Sequence, residues 1–538
     1  MKRYPIRLAA LVCVLAAFCS AAAQELHFIL RSEPKTFNPV LVAEDASDTI
    51  RYLTGGVLMR LNRKSQQLEP ELAKSWSISK DGRTITFKLR EGVLFSDGTP
   101  FSANDVAFTM KQLMDPELHS PTGDAFRSGK GDVITRVNGK HQIAIIFPAP
   151  VAGLAKLFDQ VAIMSGSSPQ KEKAVLGAFM VAEYKPGDFV LLKRNPNYWK
   201  KDASGRRLPY LESVRLDIQQ NRDIELLRFR RGEIHLINDL SPELFDRLAA
   251  ETSGVTYDAG ASMDSEFLWF NQAPKAAIPA YKLAWFRSAN FRRAISSAIN
   301  REDISRLVYG KHAQPAVGPV SPANQFWFNS KLKAQAFDRK AALDRLTQDG
   351  FHLEGDMLRD RQGNAVEFSI ITNAGNKARE RMAAVIQQDL AEIGVKVNVV
   401  TLDFPSLIDR MTQSFNYEAC LLGLVNTELD PNSQMTVWLS SGENHQWSPN
   451  QATPETPWEA EIDKLMRAQA STPDLKKRKQ YFDRVQEIVW EQAPFIYLVN
   501  KNALCAISSA VRPAEPVVLR PQTYWNAERM VLASDGQK

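Results

Sequence analysis

The stretch Asn376–Asp403, NKARERMAAVIQQDLAEIGVKVNVVTLD, limits the possible folds more than any other part of the chain. Met382, Val385, Ile386, Leu390 and Ile393 recur at three- and four-residue intervals, which sets them on one face of a helix. Gly394 can take the left-handed conformation that ends a helix, and VKVNVV then alternates as a strand. FSIIT, at Phe368–Thr372, is a strand-like run just before the helix. Strand, helix and strand in that order form a βαβ unit, with two parallel strands covered by the helix.

The rest of the chain interleaves in the same way. DFVLLKRNPNYW and SVRLDIQ read as strands, and NRDIELLRFRRGEIHLI as a helix that stops at Gly232 before another strand. ANFRRAISSAINREDISRLVYG reads as part of one long helix, and DMLRDRQGNAVEFSIIT as a hairpin around Gln362-Gly363. In REGVLFSDGTPFSANDVAFTM, Asp97-Gly98 is a turn, and Ser102 with Asp105 is a capping box opening a helix through Val106, Met110 and Leu113. Thr456-Pro457-Trp458-Glu459 repeats the capping pattern with proline at the first helical position. The basic run Lys476–Lys479 reads as the solvated side of a further helix. These elements indicate an α/β fold with mixed sheets.

A chain of 538 residues exceeds what one hydrophobic core usually organises, so two or three lobes are expected. Residues 1–23 read as a cleavable secretory leader: Lys2 and Arg3, the apolar run Leu8–Phe18, then Ala21 and Ala23 at a small-residue cleavage site. Phe18 argues against lipidation at Cys19. Basic residues number 67 against 61 acidic, three of the former in the leader, which gives no electrostatic case for nucleic acid or an anionic membrane. Beyond the leader only Cys420 and Cys505 remain, either two buried thiols or one bridge.

The signatures of common chemistries are missing. The seven histidines show no metal-binding spacing, and there is no G-x-S-x-G elbow, Walker loop or G-x-G-x-x-G fingerprint. Ser77-Ile78-Ser79-Lys80 matches S-x-x-K without the companion elements of that serine chemistry. No catalytic residue, metal site or cofactor is therefore assigned. A glycosidase stays open at this level, because its carboxylate pair is spatial rather than sequential.

ELAKSWSISKDGRTITFKLREGVLFSDGTPFSANDVAFTM, EYKPGDFVLLKRNPNYW, RRGEIHLI, FLWFNQ, FRRAISSAINREDI and QQDLAEIGVKVNVVTLD together resemble bacterial extracellular solute-binding protein family 5, in family order. That family includes the oligopeptide-, dipeptide- and nickel-binding proteins of ABC importers. The resemblance implies a two-lobed periplasmic binding protein-like fold (class II, cluster C type) with mixed sheets and a hinged interlobe cleft. Residues 24–269 would form lobe I with a family-specific subdomain, 270–502 lobe II, and 503–538 a return to lobe I. It implies a monomeric periplasmic protein that captures a peptide or peptide-like solute and delivers it to an inner-membrane ABC permease. A sensor or chaperone use of the same binding fold is the other non-enzymatic expectation.

The resemblance also supplies candidate ligand contacts. Trp269 and Asn271 fall in the expected interlobe crossing, and Trp438 and Trp447 flank the loop LSSGENHQW on the lobe II side. In LVNTELDPN, peptide-binding relatives carry an aspartate for the ligand's ammonium group where this chain has Thr427. A hydroxyl offers only a neutral contact there, which leaves Asn426, Glu428 and Asp430 as candidates beside it. A second departure is Ala178 in place of the proline that usually follows Gly177.

Overall fold

A computed structural model describes residues 24–124, 126–127, 131–151, 153–424 and 429–533; the expected leader lies outside them. The βαβ unit is present. Strands Glu367–Asn373 and Lys396–Leu402 pair in parallel, and helix Lys377–Ala391 buries Met382, Ile386 and Leu390. Gly394 sits at φ 75°, and Val395 N–H returns to the Leu390 carbonyl at 3.0 Å, closing the helix end.

One other expectation changes. The long helix is broken into Ala289–Ala298 and Arg301–Tyr309, because the Asn300 side chain accepts the backbone N–H groups of Glu302 and Asp303 and caps a new helix. The hairpin around Gln362-Gly363 forms, with Arg359 and Ala365 bridged antiparallel and Asp360 N–H donating to the Asn364 carbonyl at 3.0 Å, and a second hairpin precedes it, His352–Glu354 pairing with Met357–Arg359 around Gly355. Gln362-Gly363 is the turn of its hairpin, where the Asp360 carboxylate accepts the Gln362 and Asn364 N–H groups. The capping box at Ser102 forms as expected, with Ser102 N–H donating to Asp105 at 2.8 Å.

One mixed sheet of eleven strands runs through the molecule. Its order is 396–402, 367–373, 419–424, 256–270, 495–507, 236–237, 25–30, 213–218, 189–194 and 179–185, with 313–315 also paired to 495–507. Thr256–Phe270 and Phe495–Ile507 are the long central pair. Near residue 506 they border the first-lobe strands, and near residue 496 the second-lobe strands. Their mutual register shifts between Asp258 and Ala261, between Ala261 and Ser265, and between Glu266 and Phe267. Such irregularities remove ladder hydrogen bonds and bend the strand, so the sheet is most deformable where it passes between lobes.

Side-chain alternation divides the second lobe into two cores. Phe267 and Trp269 pack on one face with Cys420, Leu422 and Phe495, while Leu268 and Phe270 pack on the other with Leu421, Ile496 and Leu498. Trp269, taken above as the edge of the first lobe, therefore belongs to a second-lobe core.

The first lobe has its own cores around Leu26, Phe28, Val214 and Leu216, and around Leu226, Phe245 and Leu248. The C-terminal segment closes it, with Tyr524 stacked on Phe28 at 4.9 Å. A separate four-stranded sheet, ordered 73–78, 84–89, 142–146 and 134–137, packs with helix Ala103–Met114 around Phe87, Met110 and Phe158. Gly177 joins this subdomain to the lobe. A Cβ there would lie 2.3 Å from the Thr54 carbonyl oxygen, so close chain approach requires glycine. Cys420 and Cys505 are free, buried thiols, both pushed up by burial, Cys505 to about 12.

Candidate ligand cleft

Between the lobes lies a cavity of about 910 Å³. Its first-lobe wall comes from residues 42–63, the subdomain residues Pro121, Thr122, Phe126, Val151 and Gly153 with segment 156–162, and the tail 518–522. The crossing strands supply Ser262–Asp264 and Lys501–Leu504, and the second lobe supplies Tyr309, His312 and Leu429–Ser433. The lobes touch beyond the cavity. Gln66 Nε2 donates to the Ala323 carbonyl at 2.5 Å, and Gln325 N–H donates to Gln66 Oε1 at 3.1 Å. Leu61, Met263, Ala323, Leu429 and Leu519 form a small apolar cluster across the same seam.

The wall is highly charged and mostly self-neutralised. Arg63 pairs with Asp159 at 2.8 Å, Arg31 with Asp239 at 3.2 Å and Lys501 with Asp264 at 3.6 Å. Burial lifts the Asp264 carboxyl above its usual range against the pull of Lys501. At the hinge side His312, from the second lobe, meets Asp246 at 2.8 Å and Asp258 at 3.2 Å. Burial pulls that imidazole down, but the two carboxylates outweigh it and hold it above its ordinary 6.5.

Several candidates from the sequence are committed elsewhere. Trp269 is fully buried and donates Nε1 to the Tyr417 hydroxyl at 3.2 Å. Asn271 is also fully buried, its amide donating to the Phe415 and Tyr417 carbonyls. Trp447 donates to Glu459 and Trp438 to Gln434, each at 2.9 Å, and both indoles lie in the second-lobe core. Aromatic size and a hydrogen-bonding edge suit a ligand plate and a core anchor equally, and here packing takes all four side chains. Asn426, Thr427 and Glu428 lie outside the described residues.

Asp430 does reach the cavity wall, but its carboxylate is engaged. It accepts Arg478 Nη1 at 2.9 Å and Nη2 at 2.6 Å and caps the turn Pro431–Gln434. This corrects the reading of the basic run: Lys476 and Lys477 are exposed, whereas Arg478 is only 2% exposed and lies under the cleft wall. A Cβ on Gly153 would be 2.5 Å from Asp430, which shows how closely the subdomain approaches the second lobe.

Tyr52, Arg60, Arg63 and His312 line the cavity and are not among the candidates from the sequence. The available signal was Met59-Arg60-Leu61, a cation inside an apolar strand.

Residues 67–446 match the family model described as "Bacterial extracellular solute-binding proteins, family 5 Middle". The chain belongs to this family. Among its members, a "Probable ABC transporter-binding protein" of Deinococcus radiodurans is 28% identical over 526 residues, covering 89% of this chain and 87% of the relative. The "Oligopeptide-binding protein AppA" of Bacillus subtilis is 24% identical over 495 residues, covering 87% of this chain and 85% of that protein. The crystal structure of the ABC transporter substrate-binding protein CtaP of Listeria monocytogenes superposes with a TM-score of 0.77 at 23% identity, covering 95% of this chain and all of CtaP. The two-lobed fold of family 5 is thus the fold of this chain. Among the described residues of this family 5 protein, no helix is long and apolar enough to cross a membrane.

Proposed function

We propose that this chain is the solute-capturing component of an ABC importer, enclosing a peptide or peptide-like molecule between its lobes and presenting it to a membrane permease. The observation that carries this reading is the cavity of about 910 Å³ at the seam of two lobes joined through irregular central strands. Its size lies near the top of the roughly 300–1,000 Å³ range of small-molecule sites. The oligopeptide-binding relative, similar over most of the chain, supports the solute class. Closure is driven by the solute contacting both walls at once, contacts that an open form would lose.

The reading has the protein work as a periplasmic monomer without bond chemistry. Asp159 and Asp430, carboxylates of the cleft wall, are tied to Arg63 and Arg478, an arrangement suited to holding charge rather than passing protons.

The test is thermal unfolding of the purified chain with a pool of tri- to pentapeptides. A ligand at a hundred times its Kd stabilises the native state by about 2.7 kcal/mol, so a clear rise in Tm is expected. No shift with any peptide, alongside a shift with a sugar or a metal chelate, would remove the peptide class and leave solute capture standing.

A further inference from the structure

Arg60 stands apart among the guanidinium groups lining the cavity. Arg31, Arg51, Arg63, Arg222 and Arg520 each have a carboxylate within 4 Å, whereas Arg60 has none among the described residues. Its guanidinium carbon lies 4.6 Å from the centre of the Tyr52 ring, and one Nη donates weakly to the Gly55 carbonyl at 3.4 Å. The nearby carboxylates are already occupied. Asp159 accepts Arg63 and the Leu61 N–H at 2.7 Å, and Glu71 and Glu528 share Lys200. Tyr52 is held in place by its hydroxyl donating to the Trp525 carbonyl at 2.9 Å.

Stacking on a ring covers the flat face of a guanidinium and leaves its in-plane N–H fork free, and that fork matches a carboxylate. Neighbouring Arg63 also borders the Tyr52 ring, at 5.6 Å, and its buried Nε has no hydrogen-bond partner. Tyr52, Arg60, Arg63 and Asp159 together carry one net positive charge on the cleft wall. Resting on the solute-capture reading above, we propose that Arg60, laid on Tyr52, seats a carboxylate of the bound solute, so that the cleft prefers acidic solutes, including peptides with a free C-terminus, to their neutral counterparts.

The experiment incubates the chain from Gln24 onward with three pools: tri- to pentapeptides with free C-termini, the same peptides as C-terminal amides, and small mono- and dicarboxylic acids. Retained species are counted by native mass spectrometry. Wild type is expected to retain free acids at least about 10-fold over amides, the scale of one charge-assisted bidentate contact. Arg60→Gln is expected to abolish that preference, and Arg60→Lys, which keeps the charge but not the fork, to reduce it several-fold. Retention from the small-acid pool in place of peptides would assign the same seat to a non-peptide acid.

Equal retention of acids and amides by wild type, or an undiminished preference in Arg60→Gln, would overturn the carboxylate seat and leave solute capture intact. Retention of nothing from any pool would count against both. If Arg60→Gln shows no cooperative melt, Arg60→Lys decides: an unchanged preference there overturns the proposal.

Discussion

Replacing Asp430 by alanine is expected to lower the unfolding free energy by about 3–5 kcal/mol, because it strands a buried guanidinium. Arg478 is 2% exposed, and Asp430 supplies both oxygens of its bidentate partner. After the substitution its remaining contacts are the Gln469 carbonyl at 3.0 Å, the Gln469 side chain at 2.8 Å and the Trp327 ring at 5.1 Å. None of these carries a negative charge. The double variant Asp430→Leu with Arg478→Met removes both charges and is expected to cost clearly less than Asp430→Ala, since a buried ion pair is often replaceable by apolar groups. Urea unfolding of the three chains measures this. A single variant within about 1 kcal/mol of wild type would show that the pair does not stabilise the native state.

The second large effect is centred on Glu459. This carboxylate is 2% exposed and accepts Thr456 Oγ at 2.7 Å, Trp447 Nε1 and Gln451 Nε2 each at 2.9 Å, and meets His445 Nε2 at 3.1 Å. Burial alone would raise its pKa, but these partners, His445 foremost, hold it down to about 2 from the ordinary 4.5. A depressed native value means that the unfolded chain takes up this proton first. The contribution, about 3 kcal/mol, is therefore complete above pH 4.5 and is lost as the pH falls from 4.5 towards 2. Glu459→Gln sets an amide N–H among donors and is expected to destabilise the chain by about 3 kcal/mol at pH 7 and to flatten that part of the acid limb. Unfolding curves between pH 7 and pH 3 measure it. An acid limb of equal steepness in both chains would contradict the assignment.

Local signals in the sequence are more legible than distant ones. The helix after Asn376, the cap at Ser102 and the termination at Gly394 depend on residues within a turn or two of each other, and all form. The break at Asn300 had a local signal too, since asparagine competes for the backbone N–H groups ahead of it, but continuous apolar periodicity masked it. The pairing of Thr256–Phe270 with Phe495–Ile507 joins segments more than two hundred residues apart, and no periodicity encodes a partner. Trp269, Trp438 and Trp447 show the same limit. Their types suit a cleft, but only the packed sheet reveals that a core receives them. Arg478 reads as one more cation in a basic run until Asp430 is brought against it.

Small-angle scattering of the chain from Gln24 onward, without ligand and with a saturating tri- to pentapeptide pool, tests the clamp most directly. Thermal stabilisation in the same samples establishes binding. If the lobes close over a solute, the radius of gyration falls as stability rises, and the cavity between residues 42–63 and 429–433 is enclosed in the compact form. A clear rise in Tm with an unchanged scattering curve would contradict closure and leave a rigid binding site in its place.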